Sequence, residues 1–218
     1  MRKVVIVSAK RTPIGSFQGS LSNLNVTELG KTAIEAVLND SSIEKELVDE
    51  VIMGNVLSAG IGQAPARQAA LYAGLPQKTE ALTINKMCGS GLKAVMLAQQ
   101  AIALGDADII IAGGMESMSN APYLLNKARN GYRLGHDKII DSILIDGLWD
   151  VYNDIHMGNC AESCAKDFNF SREDLDAFAI ESYNRAIRAS NDGTFSSEIT
   201  KVVVKDRKSE IVIEKDDE

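Results

Sequence analysis

The chain has 218 residues, 45% apolar and 24% charged, with a net formal charge of −7. That is enough to bury one core, or one core with a smaller appendage, and the composition is not that of a disordered or fibrous chain. The acidic balance excludes a general nucleic-acid or membrane-surface binder, which needs clustered Lys and Arg.

Charge is distributed unevenly. Residues 1–120 carry a net −1 and residues 121–218 a net −6. The shift predicts a domain boundary near residue 120. No apolar run nears the roughly 18 residues of a membrane span, and Val4–Val7 is too short for a signal-peptide core. Cys88, Cys160 and Cys164 are too few for a disulfide framework, so a reducing, cytoplasmic setting is expected.

In chain order, Val4–Ser8 is a β-branched run that predicts a buried strand. Leu29, Ala33, Ile34, Val37 and Leu38 recur at helical spacing and predict a helix over Thr27–Leu38. Val48–Val56 reads as a second strand. Ala64–Tyr72 reads as a short helix stopped by Gly74 and Pro76. Ala81–Asn85 is a third strand, Ser90–Leu104 a long apolar helix ending at Gly105, and Ala107–Ala112 a fourth strand closed by Gly113-Gly114. Strands and helices alternating in this way predict an α/β fold, a mostly parallel sheet with helices on both faces joined by right-handed crossovers.

Beyond Ser119 the alternation stops. Residues 120–137 are polar and Gly-punctuated. Gly158–Phe168 and Leu175–Ala189 predict helices, the second opened by a capping box at Ser171–Asp174. Glu198–Val204 and Glu210–Glu214 alternate as a hairpin does. The chain has no internal repeat or low-complexity tract.

The strongest local chemical signal is Asn85-Lys86-Met87-Cys88-Gly89-Ser90-Gly91-Leu92. A strand runs into a turn and a helix opens directly after Cys88. Unpaired first-turn N–H groups and the helix dipole there favour thiolate, the nucleophilic form. Gly89 and Gly91 leave room for an acyl group, and nearby N–H groups suit an oxyanion. The alternative is a Cys packed between helix and sheet, and local sequence leaves both open. Gly89-Ser90-Gly91 lacks the patterns of a phosphate loop. His156, Cys160 and Cys164 share one helical face, which raises zinc. A tetrahedral site would need a fourth ligand, and the spacing is not that of a structural zinc motif, so no metal is expected. Lys127, Arg129, Arg133 and Lys138 suit either a solvated loop or contact with a polyphosphate ligand.

At Asn85–Gly91 the sequence resembles the thiolases, within their acetyl-CoA acetyltransferase group. Val7-Ser8-Ala9-Lys10-Arg11-Thr12-Pro13-Ile14-Gly15 resembles the family's opening. Gln63–Gln68, Gly113–Ser119 and His156-Met157-Gly158 with Ala161-Glu162 also match, so the resemblance covers essentially the whole chain. It implies a layered thiolase α/β domain over residues 1–119 and an incomplete inserted loop domain over 120–218. The implied activity is acyl transfer between coenzyme A thioesters: two acetyl-CoA to acetoacetyl-CoA and CoA, or the reverse. Cys88 matches the acyl-carrying nucleophile. Leu148, His156 and Met157 match positions lining the pantetheine and acyl pocket. The stretch near 129–138 matches a loop joining dimers in tetrameric relatives. The resemblance implies a homodimer or homotetramer, with no cofactor beyond the CoA substrates and no nucleic-acid or membrane partner. The family's second half, with its N-E-A-F, G-H-P and C-x-G-x-G motifs, has no counterpart here. These residues are thus expected to be an amino-terminal thiolase portion that dimerises or binds CoA without full turnover.

Overall fold

The computed structural model describes residues 2–206 and 209–217. They form two compact units: residues 2–122 with the segments 198–206 and 209–217, and residues 123–197.

In the first unit, helix α1 (Val26–Ser41) precedes strand β1 (Glu50–Gly54), helix α2 (Pro65–Tyr72), strand β2 (Glu80–Ile84), helix α3 (Ser90–Leu104) and strand β3 (Ile110–Gly114). The Glu28 carboxylate takes the Asn25 N–H at 2.8 Å and opens α1. Pro65 starts α2 with its φ already set. Gly105, at φ +91°, ends α3. The strands are parallel, in the order β2-β1-β3, with Val51 opposite Ala81 and Ile111.

Strand alternation sends β1 into two layers. Val51 and Met53 join Val26, Ile34 and Leu38 of α1 and Ala66, Ala69 and Ala70 of α2 in the main core. On the other face Gly54 lies against Ser90 and Gly91 of α3. Helices therefore cover both faces, as the alternating pattern predicts.

Val4–Ser8 departs from expectation. It is in no ladder among the described residues, and Val5, Ile6 and Val7 are 62%, 78% and 65% exposed. It borders an apolar groove of about 480 Å³ shared with β3, α1 and α3. Strand propensity is a preference for a pleated, half-buried surface. Among the described residues the backbone here has no ladder partner to supply one.

The end of the chain also departs from the expected division. Strands β8 (Val202–Asp206) and β9 (Ser209–Ile213) form the antiparallel hairpin read from their alternation. They pack with the first unit, whereas residues 120–218 were expected to belong together. Val202 and Val204 are buried with Leu21, and Leu24 and Leu29 pack against them. Arg11 and Glu198–Thr200 exchange two backbone bonds of 2.8 Å. The Arg11 guanidinium reaches Glu198 at 2.6 Å and Asp216 at 2.6 and 3.0 Å. An apolar hairpin face needs cover, and Leu21, Leu24 and Leu29 provide it.

The second unit holds the short pair β4 (Tyr123–Leu124) with β5 (Ile140–Asp141), and the pair β6 (Trp149–Asp150) with β7 (Ile155–His156). Helices α4 (Met157–Asp167) and α5 (Arg172–Asn191) follow. The predicted capping box opens α5: Asp174 N–H donates to Ser171 Oγ at 3.1 Å, and Ser171 N–H to the Asp174 carboxylate at 2.9 Å. In the basic segment, Lys127 is paired with Asp137 at 2.6 Å.

Candidate active site

The three parallel strands end together at Gly54, Ile84 and Gly114. The carboxyl edge of such a sheet is where α/β folds hold their ligands. Cys88 follows β2 there, and its thiol is exposed.

The turn carrying it is closed by local bonds. Met87 takes φ +49°, a left-handed conformation that costs a non-glycine residue about 1–2 kcal/mol. Its N–H donates to Asn85 Oδ1 at 2.9 Å. Ser90 is buried, and its hydroxyl ties both sides of the turn. It accepts from Lys86 N–H at 2.8 Å and donates to the Met87 carbonyl at 2.6 Å. Gly89 is the N-cap of α3, with no capping side chain bonded there. The helix opens at Ser90, as read from sequence, so Cys88 stands just before the cap. The first-turn N–H groups are left uncovered by any capping side chain.

Gly54 admits this arrangement. A Cβ there would lie 2.6 Å from Ser90 Cβ, 2.7 Å from Ser90 C and 2.8 Å from Gly91 N. Only glycine lets the end of β1 come so near the start of α3.

Beside the turn, the Glu116 carboxylate gathers three donors from the segment after β1. These are Asn55 Nδ2 at 2.7 Å, Val56 N–H at 2.8 Å and Leu57 N–H at 3.2 Å. Protein packed around this carboxyl pushes its pKa up, against the pull of the Val56 and Leu57 N–H groups. Asn55 Nδ2 also reaches the Met115 carbonyl at 3.2 Å, while Asn55 Oδ1 is buried without a partner among the described residues.

In the second unit, Leu148 ends a five-residue π-turn over Leu144–Leu148. Trp149 pairs with His156 across the β6–β7 hairpin, so Leu148 and Met157 leave that hairpin at the same end. His156 caps α4, its Nδ1 accepting from Gly158 N–H at 2.9 Å. A ring nitrogen that accepts carries no proton, which leaves Nε2–H as the ring's donor. Trp149 Nε1 donates to Asp154 at 3.0 Å, and Cys160 Sγ to Asp150 at 3.7 Å. Among the described residues no group of three or more His, Cys, Asp or Glu is placed to hold a metal ion.

A family model described as "Thiolase, N-terminal domain" matches residues 4–218. The chain belongs to the thiolase family. It is 55% identical over 203 residues to acetyl-CoA acetyltransferase 2 of Arabidopsis thaliana, covering 93% of this chain and 50% of that protein. It is 53% identical over 218 residues to the acetyl-CoA acetyltransferase of Cupriavidus necator, covering 100% and 56%. It is 50% identical over 219 residues to the mitochondrial acetyl-CoA acetyltransferase of Mus musculus, covering 100% and 51%. The chain thus spans about half the length of these curated relatives. No helix among the described residues is long and apolar enough to cross a membrane.

Sequence reading of this thiolase chain singled out Cys88, and the tertiary structure adds Asn55 and Glu116 at the same sheet edge. Gly113–Ser119 is legible as a family motif, but its Glu116 has no partner within sequence reach. The donors it meets lie about sixty positions earlier.

Proposed function

We propose that this chain supplies the acyl-carrying half of a thiolase acting on acetyl-CoA. Cys88 is the nucleophile, and the observation that carries the reading is its exposed thiol on the closed turn before the uncapped start of α3. Its thiolate attacks the thioester carbonyl and forms a new C–S bond. The tetrahedral oxyanion collapses, and coenzyme A leaves as its thiolate. One thioester replaces another, so little free energy is lost. First-turn N–H groups of α3 suit the oxyanion. Leu148, His156 and Met157 serve the pantetheine and acyl portion, His156 through its Nε2–H. No cofactor or metal is required.

Condensation also needs a base to take the α-proton of the second acetyl-CoA. His156 is committed to its cap and His136 lies in the polar loop, so neither is assigned that step. Lack of a positioned base removes about 10²–10⁴ in rate. The 218 residues alone are therefore expected to accept an acetyl group without sustaining turnover. In this proposal two copies associate through β2, an edge strand of the sheet, the setting being cytoplasmic.

The test is incubation with acetyl-CoA followed by peptide mass spectrometry. One acetyl on Cys88, absent in Cys88→Ala, is the expected result. Acetylation of Cys160 or Cys164 in preference to Cys88 overturns it.

A further inference from the structure

Glu116 lies outside the acyl-transfer step, yet its carboxylate is placed where it governs the turn bearing Cys88. Its three donors come from the consecutive residues Asn55, Val56 and Leu57. The same segment holds the start of the Cys88 turn. Asn55 N–H donates to the Ile84 carbonyl at 3.0 Å, and Asn85 Nδ2 reaches the Val56 carbonyl at 3.5 Å. The other end of the Asn85 amide accepts the Met87 N–H at 2.9 Å, at the left-handed residue immediately before Cys88. A continuous set of bonds thus runs from Glu116 through Asn55–Leu57 and Asn85 to Met87, the residue before the nucleophile. Met115 N–H adds a 2.9 Å bond to the Gly54 carbonyl and anchors the acid's own backbone to β1.

The chemistry calls for a carboxylate. Three N–H donors converge on two oxygens, and an ionised carboxylate offers only acceptors. An amide of the same shape would turn an NH₂ toward one of those donors and break the set. We propose that Glu116 is a positioning residue for Cys88, acting through Asn55–Leu57 and Asn85. The inference rests on the reading of Cys88 as acyl carrier, and the two are tested by separate arms.

The first arm measures iodoacetamide labelling of Cys88 in the full chain, with Cys164, exposed in the second unit, as internal reference. Glu116→Gln is expected to slow Cys88 by about fivefold or more and leave Cys164 unchanged. Asn85→Ala is expected to do the same. The double variant should lose no more than the larger single loss, because both act on one bonded set. Glu116→Asp, which keeps the charge, should recover part of the rate, and it is read instead if Glu116→Gln fails to fold. A purely architectural Glu116 would lower the melting temperature and leave the labelling ratio within twofold. That result, or fully additive losses, overturns the inference. The second arm measures Cys88 acetylation by acetyl-CoA in the unaltered protein. Its failure removes the acyl-carrier reading, while the labelling ratio still decides the positioning role.

Discussion

Replacing Gly54 by Ala places one methyl group between β1 and α3, where the space for it is missing. The added Cβ would stand 2.6 Å from Ser90 Cβ, 2.7 Å from Ser90 C and 2.8 Å from Gly91 N, where ordinary contact begins near 3.4 Å. Two of these three atoms are backbone, so no rotamer change relieves the contact. The start of α3 must move by roughly 0.6–0.8 Å, or β1 must. Overpacking of this kind costs about 1–3 kcal/mol. For a chain of this size that lowers Tm by about 2–12 °C. The displacement also reaches function, because Ser90 closes the Cys88 turn through Lys86 N–H and the Met87 carbonyl. A shift approaching 1 Å at a reacting group costs up to about 10² in rate. Calorimetry gives the first quantity, and the rate of Cys88 acetylation, with Cys164 labelling as reference, gives the second. A Gly54→Ala protein that melts within about 1 °C of the parent and acetylates Cys88 at the parent rate refutes the packing argument.

Other outcomes follow from electrostatics and from the open sheet edge. Glu50 faces Glu80 across β1–β2; burial first, and then Glu80, raises its pKa. A raised carboxyl penalises folding once it ionises, so the penalty appears as pH climbs through about 4.3 and is complete above the folded value. Glu80→Lys should stabilise by about 0.2–1 kcal/mol at neutral pH and by almost nothing at pH 3; equal gains at both values count against it. Asp216 is held low, chiefly by its bond from Arg11, so its contribution is present above about pH 4 and is lost as pH falls through the folded value. Hydrogen-exchange protection of the Ile14 amide, bonded to Asp216 at 2.8 Å, should drop between pH 5 and pH 2, with unchanged protection the contrary result. Light scattering at micromolar concentration is expected to show a dimer, since β2 is an edge of the three-stranded sheet. A purely monomeric sample removes β2 as an association edge.

The amino-acid sequence by itself determined the alternation of strand and helix from α1 to β3, the extent of α3, the capping box of α5, the β8–β9 hairpin and Cys88 on its turn. These rest on local causes: 3.6- and 2-residue apolar periods, glycine and proline stops, and side chains bonding within three residues. Tertiary structure decided the rest. The run Val4–Ser8 has every local mark of a buried strand, yet ladder partners are absent among the described residues and Val5, Ile6 and Val7 stay exposed. Residues 198–217 read from sequence as a hairpin belonging with the loop domain over 120–218. Their described part joins the first unit because Leu21, Leu24 and Leu29 cover Val202 and Val204 and because Arg11 takes Asp216. Around Cys88 the same division holds. A strand-to-turn-to-helix motif is written in eight consecutive residues. The carboxylate of Glu116 is tied to it only through Asn55–Leu57, and that link forms when parallel β1 and β3 bring residues about sixty apart to a common edge.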